Sequence, residues 1–422
     1  MKLFRSRYLL SIAAPPLEDG ALLVAGDRIL AVGPYRELAA AHPRAAAVVF
    51  EDAVVMPPLV NAHTHLELTD FPEWAAAAGT AGEGGDFADW ILHLVRVRRT
   101  TSEEAVAASL RHGLQQSLQA GTGAVGDILT TLPAASAYAA TPLRGRVFAE
   151  VLGVDPRRVE SRLEQVAMHL AASPAAALRW GLSPHAPYTL TASTLAAASD
   201  FASVHELSIA MHWAETVEER EFSSLVRGPL AEKLYPMAGW PLPATTSLCD
   251  LAGLPAGSLL IHGVHPGQDD IDAVAAAGHG VVLCPRSNCR FGAARAPLAA
   301  YRRAGVPLAL GTDSRASCPS LSIWDELAFA RNWFTGELAP ADWLAIATYG
   351  GAAALGLSQR MGQLTAGCEA SFQVVALPAG ATAVTVEEAL VSAGEETAVQ
   401  ALYLAGKEFF RSTTQPMSHS TN

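Results

Sequence analysis

The stretch Val54-Val55-Met56-Pro57-Pro58-Leu59-Val60-Asn61-Ala62-His63-Thr64-His65 decides how this chain is interpreted. It is an apolar, strand-like run that ends in two histidines separated by one residue. Histidines at positions i and i+2 of an extended segment project to the same side, so both imidazoles can bind one cation. Two histidines near a strand end are also common as ordinary hydrogen-bonded residues. The pair is therefore one half of a metal site, and the other half has to be found elsewhere.

Three further apolar, strand-like runs end in side chains that bind metals or carry protons. They are residues 208–211 before His212, with Glu215 three positions on, residues 259–261 before His262, and residues 307–311 before Asp313. In a barrel of parallel strands, the carboxyl ends of all strands open onto one face. Residues that are roughly 50 to 150 positions apart in sequence then lie within a few ångströms of one another. The four runs thus predict one composite site.

Eight strand-like segments alternate with helical stretches rich in alanine and leucine. They lie near residues 54–60, 123–128, 145–151, 178–183, 208–212, 258–262, 280–284 and 307–311. Such alternation is typical of parallel βα units. One helical stretch, residues 102–110, begins with Ser102 and two glutamates, which is a capping signal. A chain of 422 residues that is 50% hydrophobic has room for a barrel of about 250 to 300 residues and a smaller domain.

The order His-x-His, His-x-x-Glu, His and Asp on successive strands resembles that of the amidohydrolase superfamily, in its mononuclear, metal-dependent deaminase branch. Within that branch the chain is most similar to aminofutalosine deaminase-like and chlorohydrolase-like members. The segments that carry this similarity are 61–67 (NAHTHLE), 183–188 (SPHAPY), 284–288 (CPRSN) and 311–314 (GTDS). The resemblance covers nearly the whole chain. It implies an α/β fold with a catalytic (β/α)8 TIM barrel, which we assign to residues 58–361.

The two ends of the chain contain matching short strand-like runs separated by turn signals. These runs are residues 21–25 and 28–32 at the start and residues 370–376 and 398–407 at the end. Residues 1–57 cannot form a stable domain alone. The superfamily commonly builds a small β-sandwich from both termini, and the resemblance implies the same composite domain here, from residues 1–57 and 362–422.

The resemblance also implies a single divalent metal ion. Its four ligands would be His63, His65, His212 and Asp313. Zinc suits three nitrogen ligands and one oxygen ligand, and iron is the alternative, because imidazole and carboxylate do not separate the two. The ion would lower the pKa of a bound water from about 15.7 towards neutrality. Glu215 would pass a proton to a ring nitrogen of the substrate, Asp313 would take the proton of the water, and His262 would orient the attacking oxygen.

Some of these assignments have rivals in the sequence. His265 is the rival of His262, which we favour because it ends the strand, and Asp313 in Gly-Thr-Asp-Ser also fits the pattern of a helix cap. Two-metal members of the superfamily usually bridge their ions with a lysine on the fourth strand, and this chain has none there; its lysines are Lys2, Lys233 and Lys407. Glu150 on the third strand can replace that lysine in some relatives. A two-metal site is therefore kept as a second hypothesis.

Six residues are candidates for substrate binding: His185, Trp90, Glu67, Arg286, Ser287 and Asn288. The position of His185, after the fourth strand, resembles one that touches the nucleoside in adenosine-type deaminases. Trp90 can stack on a purine or pack against a helix, and Glu67 can bind a sugar hydroxyl or face solvent. Arg286 and its two neighbours can bind a carboxylate or a ring edge, and a guanidinium forms paired bonds with a carboxylate. Aminofutalosine carries both an adenine and a benzoate.

Composition limits the partners that we expect. A formal charge of −12 without basic clusters argues against nucleic acid and other polyanions. Five cysteines, an odd number without a CxxC pair, predict a reduced cytoplasmic protein. No stretch reaches the roughly 18 apolar residues that a membrane helix needs, and the apolar run before Pro15-Pro16 fits an opening strand better than a signal peptide. We expect a small-molecule substrate, no nucleic acid and no membrane, and we leave a homodimer open.

We predict a metal-dependent hydrolase of carbon–nitrogen bonds other than peptide bonds. It would remove the exocyclic amine of an adenine-like nucleoside, in the first place 6-amino-6-deoxyfutalosine in menaquinone synthesis. One alternative is another hydrolase of the same fold, acting on guanine, cytosine, a pterin, a triazine or, with two metals, an amide. The other alternative is a catalytically silent barrel that acts as a binding protein. Six convergent polar residues argue against it, because a scaffold has no need of them.

Overall fold

The computed structural model describes residues 1–80, 84–172, 178–244, 250–292 and 294–411. The strands of this part of the chain form two sheets. In chain order they are β1 (Lys2–Leu9), β2 (Leu17–Ala25), β3 (Arg28–Pro34), β4 (Ala46–Met56), β5 (Leu59–Thr64), β6 (Thr122–Leu129), β7 (Arg144–Val151), β8 (Leu178–Pro184), β9 (Ser208–Trp213), β10 (Leu259–His262), β11 (Gly280–Leu283), β12 (Leu308–Leu310), β13 (Phe372–Ala376), β14 (Val399–Leu404) and β15 (Lys407–Arg411).

The α-helices of the described residues mostly alternate with the strands of the central part of the chain. They are α1 (Tyr35–Ala41), α2 (Phe71–Ala77), α3 (Phe87–Thr100), α4 (Glu103–Gln119), α5 (Pro156–Ala172), α6 (Ala192–Val204), α7 (Val217–Leu225), α8 (Tyr235–Ala238), α9 (Gln268–Ala276), α10 (Pro285–Arg290), α11 (Leu298–Ala304), α12 (Ile323–Trp333), α13 (Pro340–Ala345), α14 (Gly351–Ala354) and α15 (Val386–Ala393). The helix predicted from residue 102 is α4. The Ser102 hydroxyl accepts a hydrogen bond from the amide of Ala105 at 3.2 Å, as the capping signal indicated.

Strands β5 to β12 form the barrel. They follow one another in sequence order, and each is paired in parallel with the next. A bridge between Thr64 and Asp313 joins the two ends of the sheet and closes it. Every residue of β5 and β6 is buried, as expected for strands covered on both faces. The predicted (β/α)8 barrel is confirmed.

Strands β1 to β4 and β13 to β15, from the two ends of the chain, form a separate seven-stranded sheet in the order β15-β14-β13-β4-β1-β2-β3. The sheet curls over its own core, so the start of β3 meets the chain just before β13. The amide of Ile29 there donates to the carbonyl of Cys368 at 3.0 Å. The rings of Phe4, Phe372 and Tyr403 pack in this core with centroids 4.5 to 5.1 Å apart. The predicted small domain from both termini is confirmed, with its strands in one continuous sheet.

The first predicted barrel strand, residues 54–60, was misplaced. It spans the end of β4, which belongs to the small sheet, and the start of β5, which opens the barrel. Pro57 and Pro58 separate the two strands because proline has no amide hydrogen for a sheet ladder. The run is apolar throughout, so composition alone does not mark the change of sheet. The other seven predicted strands coincide with β6 to β12 to within a few residues.

Helix α15 lies in the C-terminal stretch but packs against α12 and α13 on the outside of the barrel. The division of the chain at residues 57/58 and 361/362 stays a prediction, and residues 412–422 lie outside the described part. Cys284, Cys289, Cys318 and Cys368 are free thiols, and Cys249 lies outside the described residues. No helix among the described residues combines the length and the apolarity that crossing a membrane requires.

Candidate active site

Residues from three barrel strands meet at the carboxyl end of the barrel. His63 lies at the end of β5 with His65 just beyond it, His212 lies near the end of β9, and Asp313 follows β12. The Nε2 atoms of His65 and His212 are 3.2 Å apart. Asp313 Oδ1 is 3.5 Å from the Nε2 atoms of both His63 and His65. The structure therefore brings together the four residues that the sequence singled out as metal ligands.

This donor set fits a divalent metal ion. Both ring nitrogens of His63 are buried without a hydrogen-bond partner, which is unfavourable unless another group binds there. Ligands about 2.0 to 2.1 Å from a tetrahedral zinc lie roughly 3.3 Å from one another. The distances of 3.2 and 3.5 Å between the donor atoms match this spacing. Three imidazoles and a carboxylate suit zinc, with iron as the alternative.

The electrostatics of the site keep these groups in the form that binds a metal. Burial and the neighbouring His63 lower the pKa of His65 to about 4. Burial and the nearby His185 and His63 hold the pKa of His212 well below its usual value. Burial raises the pKa of Asp313, but the nearby imidazoles of His63, His65 and His262 outweigh this effect and hold that pKa well below its usual value. At neutral pH the imidazoles of His65 and His212 are therefore neutral and the Asp313 carboxylate is ionised.

Hydrogen bonds behind the ligands orient them. His212 Nδ1 donates to the carbonyl of His185 at 2.9 Å, which directs Nε2 towards the other ligands. The hydroxyls of Ser287 and Ser317 donate to Asp313 Oδ2 at 2.7 and 2.8 Å. Oδ1 of this carboxylate is thereby left to face the histidines. Ser287, predicted to bind substrate, instead positions Asp313.

His262 ends β10 with a left-handed backbone conformation, at φ 76°. The amide of Asn288 donates to His262 Nδ1 at 3.0 Å, so the ring proton lies on Nε2. Nε2 is 3.6 Å from Glu215 Oε1. His262 lines the cavity of the site, and His265 is absent from its wall. Asn288, predicted to bind substrate, thus orients a catalytic candidate.

Glu215 is placed just beyond β9 by its own loop. The side chain of Glu219, one helical turn on, accepts hydrogen bonds from the amides of Glu215 at 2.7 Å and Ala214 at 3.1 Å. Burial, together with the charges of Asp313 and Glu219, raises the pKa of Glu215 well above its usual value. A raised pKa favours the protonated form of the Glu215 carboxyl, which is the form that can donate a proton.

The geometry weakens the two-metal hypothesis. Glu150, His185 and His212 form a second cluster whose ligand atoms lie within 4.8 Å of one another. His212 Nδ1 is engaged with the carbonyl of His185, so both clusters would need the same Nε2 atom. Glu150 also accepts a hydrogen bond from the hydroxyl of Thr130 at 2.8 Å. One imidazole nitrogen binds one metal, so the arrangement favours a single ion.

A cavity of about 350 Å³ opens onto these residues. His185, Trp90 and Glu67, three of the predicted substrate-binding residues, line it. Trp90 stacks on Phe87 with ring centroids 5.8 Å apart, so it both packs on its helix and presents an aromatic surface to the cavity. Both oxygens of Glu67 accept backbone amides, from Thr130 and Thr131, at 3.1 Å. The carboxylate of Glu67 is thereby fixed at the cavity wall.

Arg286 lies away from the cavity, in contrast to our prediction. Its Nε is 2.5 Å from Glu326 Oε2, and its other nitrogens donate to Ser320 and Ser322 at 2.9 to 3.1 Å. The side chain is 8% exposed and Glu326 is fully buried. Four of the five N–H groups of the guanidinium donate to protein acceptors, and Nη1 also lies 3.5 Å from Asp325 Oδ2, so the side chain is committed to protein groups. The reason is that α10 begins directly after β11 and turns Arg286 towards α12.

Three supporting residues escaped the sequence analysis. Ser317 and Glu219 each lie four positions after a site residue, Asp313 and Glu215, and fold back to hydrogen-bond with it. The side-chain carbonyl of Asn61 accepts the amide of Thr312 at 3.0 Å, and its amide donates to the Thr312 hydroxyl at 2.8 Å. The i+4 spacing was a usable signal. Nothing in the sequence pairs Asn61 with a residue 251 positions away.

A barrel that gathers three histidines, an aspartate and a buried glutamate at its carboxyl end is typical of metal-dependent hydrolases. Comparison with known proteins agrees. The model of the amidohydrolase family matches residues 54–409, and that of a bacterial imidazolonepropionase-like composite domain matches residues 20–45. The chain therefore belongs to the amidohydrolase family and is a hydrolytic enzyme that acts on carbon–nitrogen bonds.

Individual proteins that resemble the chain include several deaminases. The chain is 33% identical to the aminodeoxyfutalosine deaminase of Deinococcus radiodurans over 75% of its own length and 77% of the relative's. It is 30% identical to a 5-methylthioadenosine/S-adenosylhomocysteine deaminase of Nitratidesulfovibrio vulgaris, over 86% and 80% of the two chains. The crystal structure of Helicobacter pylori aminofutalosine deaminase with methylthio-coformycin superposes with a TM-score of 0.83 at 22% identity, over 97% and 100% of the chains. This last likeness shows the shared fold.

Proposed function

We propose that the protein is a hydrolytic deaminase that replaces the exocyclic amine of an adenine-like nucleoside by oxygen. The observation that carries the proposal is the placement of the buried Glu215 carboxyl, whose pKa is raised, beside His262 and Asp313 at the end of the cavity where the histidines converge. Displacement of an amine requires a group that delivers a proton to the ring nitrogen, whereas binding of a ligand does not require one. The named activities of the two relatives in sequence support the same class.

A divalent ion bound by His63, His65, His212 and Asp313 would supply a water of lowered pKa. Glu215 donates its proton to the ring nitrogen next to the amino-bearing carbon, which makes that carbon electrophilic. Asp313 accepts a proton from the attacking water through Oδ1, while Ser287 and Ser317 hold Oδ2. The Nε2 proton of His262 stabilises the negative charge that develops on the attacking oxygen. The proton on Asp313 then passes to the leaving amine, the carbon–nitrogen bond breaks, and the proton of the added hydroxyl returns to Glu215. One water and one amine thereby become a ring carbonyl and ammonia, and both carboxyl groups regain their starting forms.

We assign one metal ion per chain, with zinc as the first candidate. We further assign His185, Trp90 and Glu67 to substrate binding, since they line the cavity next to the histidines. Trp90 offers an aromatic face to a purine and Glu67 a carboxylate to a sugar hydroxyl. Within the class, 6-amino-6-deoxyfutalosine in menaquinone synthesis is the substrate that we propose. The relative from Deinococcus radiodurans supports it.

An ammonia-release screen tests the proposal. Zinc-loaded protein is assayed with four adenine nucleosides: aminodeoxyfutalosine, methylthioadenosine, S-adenosylhomocysteine and adenosine. It is also assayed with guanine, cytosine, a pterin and a triazine, which represent the alternative substrates. We expect release from the adenine nucleosides, with the highest kcat/KM for aminodeoxyfutalosine. Metal analysis of the same sample should give one ion per chain. Turnover confined to the other rings, two ions per chain with amide hydrolysis, or full metal loading without any turnover would each overturn the proposal.

A further inference from the structure

Arg98 is a cation in the cavity wall that the chemistry described so far does not use. It lies in the last turn of α3 and is half-buried, and its neighbour Arg99 also lines the cavity. An apolar cavity wall is an unfavourable place for a charge without a partner. The position therefore requires an explanation.

The guanidinium of Arg98 donates hydrogen bonds only to neutral groups, and its charge also acts on the Glu67 carboxyl without forming an ion pair with it. Its Nη2 donates to the hydroxyl of Thr131 at 2.6 Å and its Nη1 to the carbonyl of Thr101 at 3.2 Å. A guanidinium has five N–H donors, and these bonds engage two of them. Within the described ranges, no ion pair to a carboxylate is formed by Arg98 or Arg99. Arg286, in contrast, is paired with Glu326 at 2.5 Å.

Arg98 lies one contact away from the reacting end of the cavity. Thr131, which accepts from Arg98 through its hydroxyl, donates its amide to Glu67 Oε2 at 3.1 Å. Glu67 follows the metal-ligand candidate His65 by two residues, and both line the same cavity. A nucleoside bound with its ring at His65 and its sugar at Glu67 would therefore have Arg98 within the same cavity to receive its remaining substituent.

We propose that Arg98 binds a carboxylate carried by the part of the nucleoside remote from the reacting amine, so that the enzyme selects anionic over neutral substrates. The inference rests on the proposed deaminase function and deepens it. The fork of N–H groups of an arginine matches a carboxylate with two parallel bonds, whereas a lysine offers a point charge. Aminodeoxyfutalosine, with its benzoate, has such a group, and adenosine and methylthioadenosine do not.

The test compares aminodeoxyfutalosine with its methyl ester, which has nearly the same shape and no charge. The variants are Arg98→Met, Arg98→Lys and, as a matched control, Arg111→Met, an exposed arginine on the next helix that is absent from the cavity wall. Each variant is loaded with zinc and assayed for ammonia release. Equilibrium binding of the acid and the ester is measured by calorimetry on the same samples.

We expect Arg98→Met to raise KM for the acid by about 10- to 100-fold, with kcat changed much less, because the contact is remote from the reacting atoms. KM for the ester should change less than about threefold, and Arg98→Lys should lie between the wild type and Arg98→Met. Arg111→Met should leave both substrates unaffected. The calorimetric affinity for the acid should fall by the same factor as KM rises.

If Arg98→Met raises KM equally for the acid and the ester, or leaves KM for the acid unchanged, the assignment of Arg98 is wrong. Ammonia release by the wild type would still support the deaminase. Absence of ammonia release from both compounds by the wild type contradicts the deaminase instead. In that case calorimetry still decides on Arg98. A selective loss of affinity for the acid supports the carboxylate site, and equal affinities of wild type and Arg98→Met contradict it.

Discussion

Replacing Arg286 by methionine tests whether this residue supports the site or touches the substrate. The side chain is buried between α10 and α12, with Nε 2.5 Å from Glu326 Oε2, and Nη1 is 3.5 Å from Asp325 Oδ2. The backbone amide of Arg286 also donates to Glu326 Oε1 at 2.8 Å. Burial raises the pKa of Glu326, and Arg286 opposes that rise. Methionine keeps the apolar stem but leaves a buried carboxylate without its cation.

Removing one partner of a buried ion pair costs about 3 to 5 kcal/mol, since the other charge stays buried. The entropy of unfolding, about 2.1 cal/mol/K per residue, amounts to roughly 0.9 kcal/mol/K for 422 residues. The melting temperature should therefore fall by about 3 to 6 °C. Helix α10 also carries Ser287 and Asn288, which hold Asp313 and His262. Activity should fall by similar factors on charged and neutral nucleosides.

Calorimetric melting and kcat/KM on aminodeoxyfutalosine and adenosine are measured for each variant. Arg302→Met is the matched control, because Arg302 is half-exposed and lies 3.7 Å from Asp342, and an exposed pair contributes about 0 to 1 kcal/mol. A double variant, Arg286→Met with Glu326→Leu, removes both charges and should recover part of the loss. An unchanged melting temperature with a loss confined to the carboxylate substrate would refute this account and return Arg286 to substrate binding.

Two other predictions concern the metal ligands and a buried acid. His63→Ala or His212→Ala should lose metal and activity together, because each removes one of three nitrogen ligands; full metal occupancy by elemental analysis would remove that residue from the ligand set. Burial raises the pKa of Asp127 to about 8, so the folded state holds a proton there that the unfolded chain releases near pH 4. The stability from this proton is complete below about pH 4 and is lost as the pH rises to about 8. The melting temperature of Asp127→Asn should therefore rise relative to that of the wild type as the pH increases from 5 to 8. A difference in melting temperature that stays constant over this range would contradict the raised pKa of Asp127.

The barrel and the six central site residues were predictable because local sequence and topology agree. His63, His212 and His262 each end an apolar run, and parallel strands bring their carboxyl ends to one face. The same periodicity failed at residues 54–60, where a continuous apolar run passes from one sheet to another through Pro57-Pro58. Which sheet a strand joins depends on its pairing with distant strands, and the residues of the run do not determine that pairing.

The substrate-binding candidates after β11 illustrate a second limit. Arg286, Ser287 and Asn288 follow a barrel strand, as cavity residues do, but they lie on α10. The side to which that helix turns each residue is set by its contacts with α12, and these contacts are not encoded in strand spacing. Arg98 was not predicted, because it lies on a helix, 33 positions after His65, and the prediction considered residues at strand ends.

The most direct test of the central claim is a single comparison of wild type and Glu215→Gln, with metal content and ammonia release measured on the same samples. Glutamine preserves the size of the side chain but cannot supply the acidic proton. Because Glu215 is proposed to donate a proton and is not among the four proposed ligands, the variant should keep one ion per chain. Its kcat on aminodeoxyfutalosine should fall by roughly 10²- to 10⁴-fold. Near-normal turnover by Glu215→Gln, or loss of the metal with the glutamate, would contradict the proposed chemistry.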